Sequence, residues 1–363
     1  MFSPADREYM ARALALAERG LYTTTPNPRV GCVLVRDGVI VGEGWHERAG
    51  ELHAEAHALR AAGAAASGAT VYVTLEPCSH HGRTPPCADA LVAAGVRRVV
   101  AAMRDPNPRV AGAGLAQLAA AGVQTECGLL EDAAQALNVG FVARMTRGRP
   151  WMRMKIAASL DGRTALENGA SRWITGPAAR ADGHRWRARA CAILTGIGTV
   201  REDNPQLNVR EVDTARQPLR IVVDSRLELP LDARILAGGN VLVATAAHDA
   251  ERAAALRDRG ADVVVLPNAA RKVDLVQLAA ELARRELNEI HVEAGVKLNG
   301  SLLREGVVDE LLVYLAPSIL GDASRGMFHL DTLTSLDARV RLRFTEVSMV
   351  GADLRVRADV AAG

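Results

Sequence analysis

Apolar positions along the first hundred residues alternate between two periods. From Pro4 to Gly20 the helical period dominates, through Met10 and Leu14. Ser3 suits the cap, Pro4 the first helical position, and Asp6 and Glu8 the positive end of the helix dipole. Two strands follow, Val30 to Val35 and Val39 to Gly44, joined by the hairpin dipeptide Asp37-Gly38. The pattern then predicts a helix from about His53 to Ala65, a strand from Thr70 to Leu75 and a helix from about Pro86 to Ala94. A strand from Arg97 to Met103 and a helix around Gly114 to Ala121 complete this part. Short β runs separated by helices predict an α/β/α sandwich on one mixed sheet.

Thr146-Arg147-Gly148-Arg149-Pro150 interrupts the pattern, and the alternation restarts beyond it. Strands are expected at Met152 to Ala157, Ala192 to Thr195, Arg220 to Asp224, Val241 to Thr245, Asp262 to Leu266, Glu289 to Glu293, Leu311 to Leu315 and Arg341 to Val347. Helices centred near Arg185, Ala255 and Ala280 fill the gaps. Two α/β domains are therefore expected, residues 1–147 and 148–363. A length of 363 residues suits that division.

Composition narrows the function. Hydrophobic residues make up 49% and charged residues 24%, which excludes a disordered, collagenous or coiled-coil chain. The longest uncharged apolar stretch falls short of the roughly 20 residues of a membrane span. The N-terminus meets charges where a signal peptide needs an apolar core, so a cytoplasmic protein is expected. A net charge of +2, with only four each of Phe, Trp and Tyr, gives no global field or stacking platform for nucleic acid. The expected partner is a small molecule. Five cysteines without a secretory signal are no disulfide framework, and Cys32, Cys78, Cys87 and Cys127 all precede residue 130.

His53-Ala54-Glu55 begins one helix, and Cys78 and Cys87 bracket the loop entering another. One imidazole and two thiolates supply three ligands to Zn²⁺ and leave a fourth position for water. Glu55 need not bind the metal and is placed to move protons, as hydrolytic deamination of an amino-heterocycle requires. The alternative is a structural zinc site with His57, His80, His81 or Cys32 as fourth ligand. A structural site has no use for Glu55. His57 follows His53 by four residues, but the order is not His-Glu-x-x-His, so it reads as a surface or supporting residue.

His-Ala-Glu followed by Pro-Cys and a second Cys resembles the cytidine-deaminase signature, with eight residues between the cysteines where two are usual. That insertion resembles the deaminase half of the bifunctional riboflavin-biosynthesis deaminase-reductase family. Thr25-Pro26-Asn27-Pro28-Arg29-Val30-Gly31 and Asp105-Pro106-Asn107-Pro108 are similar to other loops of that family. The resemblance implies zinc at His53, Cys78 and Cys87 and a proton shuttle at Glu55. It also implies a phosphoribosyl-pyrimidine pocket lined by His46, His80, Arg83, Asp105 and Asn107.

In the second half spacing alone is weak. Gly196-Ile197-Gly198 follows a strand, but Arg201 occupies the third glycine position of a dinucleotide fingerprint. Gly295 to Ser301 reads either as a plain strand-to-helix turn or as a loop of free N–H groups for a dinucleotide phosphate. The resemblance extends here, through Lys155-Ile156-Ala157-Ala158-Ser159-Leu160-Asp161-Gly162-Arg163, Ser171-Arg172-Trp173-Ile174-Thr175, Gly198 to Pro205, Val222 to Ser225, Glu293-Ala294-Gly295 and Pro317 to Gly321. It implies a dihydrofolate-reductase-like domain. NADPH would be held by Ala157, Trp173, Thr199, Asp203, Ser225 and the loop Gly295, Val296, Lys297, Leu298, Asn299, Gly300 and Ser301. Substrate would be held by Ser171, Arg187, Leu207, Arg210 and Glu293, with Arg187 and Arg210 as phosphate clamps. Trp173 serves equally as core packing, and Lys155 and Asp203 are candidate proton donors.

The implied activities are zinc-dependent deamination of 2,5-diamino-6-ribosylamino-4(3H)-pyrimidinone 5′-phosphate and NADPH-dependent reduction of the deaminated ribosyl compound to its ribityl form. A homo-oligomer, dimer or tetramer, is expected. Two other classes compete: a deaminase of nucleosides or tRNA with an accessory domain, and a non-catalytic zinc-stabilised binding protein.

Overall fold

Ser3 does cap the first helix. Its Oγ accepts from the Asp6 N–H at 3.1 Å while the Asp6 carboxylate accepts from the Ser3 N–H at 2.7 Å. The structure, a computed structural model, describes residues 2–79, 86–108 and 110–361. The chain divides into two units, Met1–Gly148 and Arg149–Gly363.

In the first unit, helix α1 (Pro4–Glu18) lays Met10, Ala13 and Leu16 on strand β1 (Gly31–Arg36). Gly31 permits this approach, because a Cβ there would lie 2.0 Å from the Ala13 carbonyl oxygen. Strand β2 (Val39–Trp45), helix α2 (Ala54–Ala62), strand β3 (Thr70–Val73), helix α3 (Cys87–Ala93), strand β4 (Arg98–Ala101), helix α4 (Ala113–Ala120) and strand β5 (Gln124–Cys127) follow. Helices α5 (Glu131–Leu137) and α6 (Val139–Arg147) close the unit. The sheet order is β2-β1-β3-β4-β5, antiparallel around β1 and parallel from β3 to β5. It is the expected mixed sheet. Strand β5 and helices α5 and α6 go beyond the expected elements; β5 is a half-exposed edge strand with polar Gln124, Thr125 and Glu126.

The second unit opens with strand β6 (Trp151–Ser159), helix α7 (Pro177–Arg189), strand β7 (Ala192–Gly196), helix α8 (Ile197–Asp203) and strand β8 (Leu219–Val223). Strand β9 (Val241–Thr245), helix α9 (Ala250–Asp258), strand β10 (Ala261–Val265), helix α10 (Leu275–Arg284), strand β11 (Glu289–Val292) and helix α11 (Val296–Arg304) come next. Strands β12 (Glu310–Ala316), β13 (Leu342–Val350) and β14 (Asp353–Val360) end it. The sheet order is β10-β9-β8-β7-β11-β6-β12-β14-β13, parallel as far as β12.

Side chains alternate across this sheet with the two-residue period of a strand. Leu194, Ile221, Leu242 and Val292 pack on one face with α10 and α11, whereas Ile193, Val222 and Val243 pack on the other with α8 and α9. The chain leaves β7 toward β8 on one side and leaves β11 toward β12 on the other. The carboxyl ends of β7 and β11 therefore flank the topological switch point, where open α/β sheets bind ligands.

Candidate active sites

In the first unit the site is assembled at helix starts. His53 immediately precedes α2 with an extended backbone (φ −74°, ψ 163°), and Cys87 is the first residue of α3. Cys78 lies on the stretch after β3. Its Sγ is 3.6 Å from His53 Nδ1, and the Cys87 Sγ is 3.3 Å from the same nitrogen. Tetrahedral zinc with ordinary bond lengths would place sulfur and nitrogen about 3.6 Å apart, so the triangle fits the ion. The Cys87 thiol hydrogen bond lowers the Cys78 pKa against burial, with His53 acting in the same direction, while Cys87 is pushed up as the thiol that retains the shared proton. Among the described residues this is the one grouping of three metal donors, and neither Cys32 nor His57 belongs to it.

Glu55 is buried in the first turn of α2. Burial pushes its carboxyl up to about 7, with His53 pulling the other way, a value suited to moving protons near neutral pH. His46 stands edge-on to His53, ring centroids 5.4 Å apart. Its Nδ1 lies 3.0 Å from the Leu52 carbonyl and its Nε2 3.0 Å from Asn27 Nδ2. Assigning the proton to Nδ1 satisfies both contacts with a neutral ring, and burial lowers the His46 pKa. Asn27, which sequence reasoning passed over as a loop residue, thus belongs to the site. Asp105 and Asn107 share one loop, where the Asp105 carboxylate accepts from the Asn107 N–H at 2.8 Å. His80 and Arg83 lie outside the described residues.

In the second unit, polar side chains gather at the switch point. Glu293, just past β11, holds Arg187 of α7 through two hydrogen bonds, 2.5 Å from Nε and 2.8 Å from Nη2. Lys155 on β6 interacts with both charges. Burial pulls its ammonium pKa down and Glu293 opposes that. Burial raises the Glu293 pKa, but Arg187, with His291 and Lys155 acting in the same direction, holds the carboxyl well below its ordinary range. His291 is fully buried one pleat behind, 3.4 Å from Glu293, and sequence reasoning missed it because it sits inside an apolar strand pattern. Gly295 approaches Thr199 of α8: a Cβ at Gly295 would lie 3.8 Å from the Thr199 hydroxyl.

A cleft of about 300 Å³ lies between Gly169–Arg172 and Glu202–Asp203, bringing Ser171 and Asp203 together. Arg172 donates to Asp203 at 3.3 Å. Trp173 is 70% exposed beneath the Arg180 guanidinium, so the core-packing alternative falls. Three other expected residues have partners within the second unit. Leu207 is buried in the apolar cluster with Val200 and Val222, which leaves its backbone for any ligand contact. Ser225 accepts from the Val273 N–H at 3.1 Å, and Arg210 donates to Asn208 at 2.6 Å. Arg187 also donates to the Asn208 carbonyl, so three of its nitrogens are engaged within the chain.

The expected phosphate loop needs correction. Gly295 is an N-cap and Val296 to Ser301 are already helix α11. The Asn299 N–H donates to the Gly295 carbonyl, so only the first turn has N–H groups outside the helix ladder. Gly300 is a packing residue, since a Cβ there would lie 1.8 Å from the His329 carbonyl oxygen. Asn299 is buried and donates to the Met327 carbonyl at 3.2 Å.

Comparison with known proteins matches each unit separately. Residues 3–103 match the family described as the cytidine and deoxycytidylate deaminase zinc-binding region, and residues 150–356 match the RibD C-terminal domain. Over 362 residues the chain is 50% identical to the riboflavin biosynthesis protein RibD of Escherichia coli K12, covering 96% of this chain and 98% of the relative. The chain belongs to the RibD family. Haemophilus influenzae RibD is 45% identical, covering 98% of this chain and 97% of its own. The solved structure of Acinetobacter baumannii RibD (form 1) superposes with a TM-score of 0.92 at 44% identity, covering 99% of each chain. A Thermotoga maritima structure, named a diaminohydroxyphosphoribosylaminopyrimidine deaminase and 5-amino-6-(5-phosphoribosylamino)uracil reductase, gives 0.88 at 31% identity, covering 98% of this chain and 99% of that one. Both expected fold classes hold: a cytidine-deaminase-like unit and a RibD-type reductase unit. Among the described residues no helix is long and apolar enough to cross a membrane.

Proposed function

We propose that the first unit deaminates 2,5-diamino-6-ribosylamino-4(3H)-pyrimidinone 5′-phosphate and that the second reduces the resulting 5-amino-6-(5-phosphoribosylamino)uracil to its ribityl form with NADPH. Membership of the RibD family makes the chain a bifunctional deaminase and reductase of riboflavin biosynthesis. The observation that carries the finer reading is the His53–Cys78–Cys87 triangle with buried Glu55 beside it.

His53, Cys78 and Cys87 would hold zinc, which when bound would supply Lewis-acid activation of water. Glu55, whose carboxyl is pushed up to about 7, would hold the proton that has to pass from water to the departing amine, so that ammonia leaves as water is consumed. His46 is held neutral and edge-on to His53, which suits it to line the pyrimidine pocket beside Asp105 and Asn107.

NADPH held in the second unit would supply the hydride for C1′ of the sugar. The chain binds and orients both partners at the carboxyl ends of β7 and β11, and a proton must reach the ring oxygen as C1′ is reduced. Lys155 is favoured over Asp203 as its source: burial lowers the ammonium pKa, whereas Asp203 is paired with Arg172 on the exposed side of the cleft. Glu293 and Arg187 hold Lys155 in a fixed electrostatic frame.

Incubating the purified protein with the diaminopyrimidine phosphate tests the reading. Ammonia release without NADPH, followed by NADPH oxidation when it is added, is the expected result. Zinc-replete protein that releases no ammonia would overturn the first assignment. NADPH left unoxidised with authentic deaminated substrate would overturn the second.

A further inference from the structure

We propose that Glu76 is a positioning residue for the deamination, whose carboxylate couples the metal-ligand loop to the loop carrying Asp105 and Asn107 and thereby sets substrate affinity. The proposal rests on the reading of Asp105 and Asn107 as substrate contacts given above. Glu76 is 3% exposed and lies two residues before Cys78. Its Oε2 accepts from the Asp105 N–H at 3.1 Å and the Gly112 N–H at 2.9 Å, while Oε1 accepts from Gly114 at 2.9 Å and Leu115 at 3.2 Å. Its own N–H donates to the Met103 carbonyl at 3.0 Å. One residue therefore grips the substrate loop near both ends.

The chemistry of those four bonds is selective. A carboxylate offers only acceptors, about four lone-pair sites, and here it meets four donors. An amide of the same shape would turn an NH₂ group toward two of them. Two donors, Gly114 and Leu115, belong to the first turn of α4, whose N–H groups any acceptor could satisfy. The Asp105 N–H does not. It lies outside every helix, so its bond to Glu76 fixes the loop rather than capping α4.

The same junction reaches the metal ligands. A Cβ on Gly114 would lie 1.9 Å from the Pro77 carbonyl oxygen, so the start of α4 rests directly on the chain between Glu76 and Cys78. The Cys78 carbonyl in turn accepts from the Ala88 N–H of α3 at 3.1 Å. Cys87, Cys78, Glu76 and Asp105 thus form one continuous support, and a shift at Glu76 moves the substrate loop against the metal.

The test uses the intact chain. Glu76→Gln should retain about one zinc per chain and full reductase turnover, while KM for deamination of the diaminopyrimidine phosphate rises at least roughly tenfold and kcat changes less than about threefold. Gly114→Ala disturbs the same junction without touching a charge and should give the same split. Asp105→Ala alone should raise KM, and combining it with Glu76→Gln should add little. If Asp105→Ala leaves KM unchanged, the substrate role of Asp105 fails, and the coupling proposal fails with it. If Asp105→Ala raises KM and neither junction variant does, only the coupling is overturned. Loss of zinc from both junction variants overturns it as well, because the junction would then hold the fold and not the substrate loop.

Discussion

In the proposed deamination three ligand atoms and one carboxyl carry the chemistry, so single-atom changes there would separate metal binding from proton transfer. Cys78→Ser or Cys87→Ser replaces a soft thiolate by a hydroxyl, and each should lose zinc in metal analysis together with deaminase activity while NADPH-dependent reduction persists. Glu55→Gln keeps the size and removes the proton acceptor. Zinc should remain while deamination falls by at least roughly 10²; near-normal turnover in zinc-replete protein would make Glu55 structural. At this scale the deaminase centre was legible because its members are close in sequence or tied to helix starts. His53-Ala54-Glu55 is contiguous, and Cys87 opens α3. The reductase centre was not legible from spacing, since Arg187 and Glu293 meet across 106 residues and only the sheet topology brings them together. Asn27 was marked only as part of a loop with family resemblance and His291 only as a position in an apolar strand, because their roles arise from the neighbours the fold supplies.

Secondary-structure elements were most legible where one face meets a core. Strand β8 and strand β9 read directly as apolar runs, whereas edge strand β5, with polar residues, did not. The Gly295–Ser301 segment misled for a definite reason: two glycines and an asparagine suggest a loop, yet Gly300 is there to let α11 touch the chain at His329. Gly300→Ala should therefore destabilise the second unit by about 1–3 kcal/mol in urea unfolding, through overpacking. A second test at this scale concerns Glu310, buried on β12 between Arg153 and Arg357 at 2.9 and 2.7 Å. Burial raises its pKa, but Arg153 and Arg357 outweigh that and bring it down from 4.5 to about 2. A carboxyl depressed on folding contributes stability that is fully present above its unfolded value and is lost as pH falls through the folded one. Unfolding free energy should decline between roughly pH 4.5 and pH 2, and Glu310→Gln should flatten that decline while lowering stability at pH 7. An unchanged acid slope in the variant would remove Glu310 from the cause.

For the whole molecule, the expectation is that the two activities separate with the two units. Helix α6 ends at Arg147, Gly148 takes the left-handed cap at φ 65°, and β6 begins at Trp151, within the Thr146–Pro150 break that the pattern marked. Each side has its own apolar core: Met10, Leu34, Val71, Leu91 and Leu118 on one, Met154, Leu194, Ile221, Leu242 and Leu278 on the other. Roughly 150 and 215 residues are each enough to bury such a core independently. The chemistry divides in the same way, with every proposed zinc ligand before residue 90 and every proposed NADPH contact after residue 150. A fragment ending at Gly148 should bind about one zinc and release ammonia from the diaminopyrimidine phosphate without NADPH. One starting at Arg149 should oxidise NADPH with the deaminated substrate and be indifferent to zinc chelators. The informative sample is a C-terminal fragment shown by circular dichroism to be folded. If it binds neither NADPH nor the deaminated substrate while the intact chain turns both over, the assignment of the reductase site to the β7–β11 switch point of the second unit is wrong.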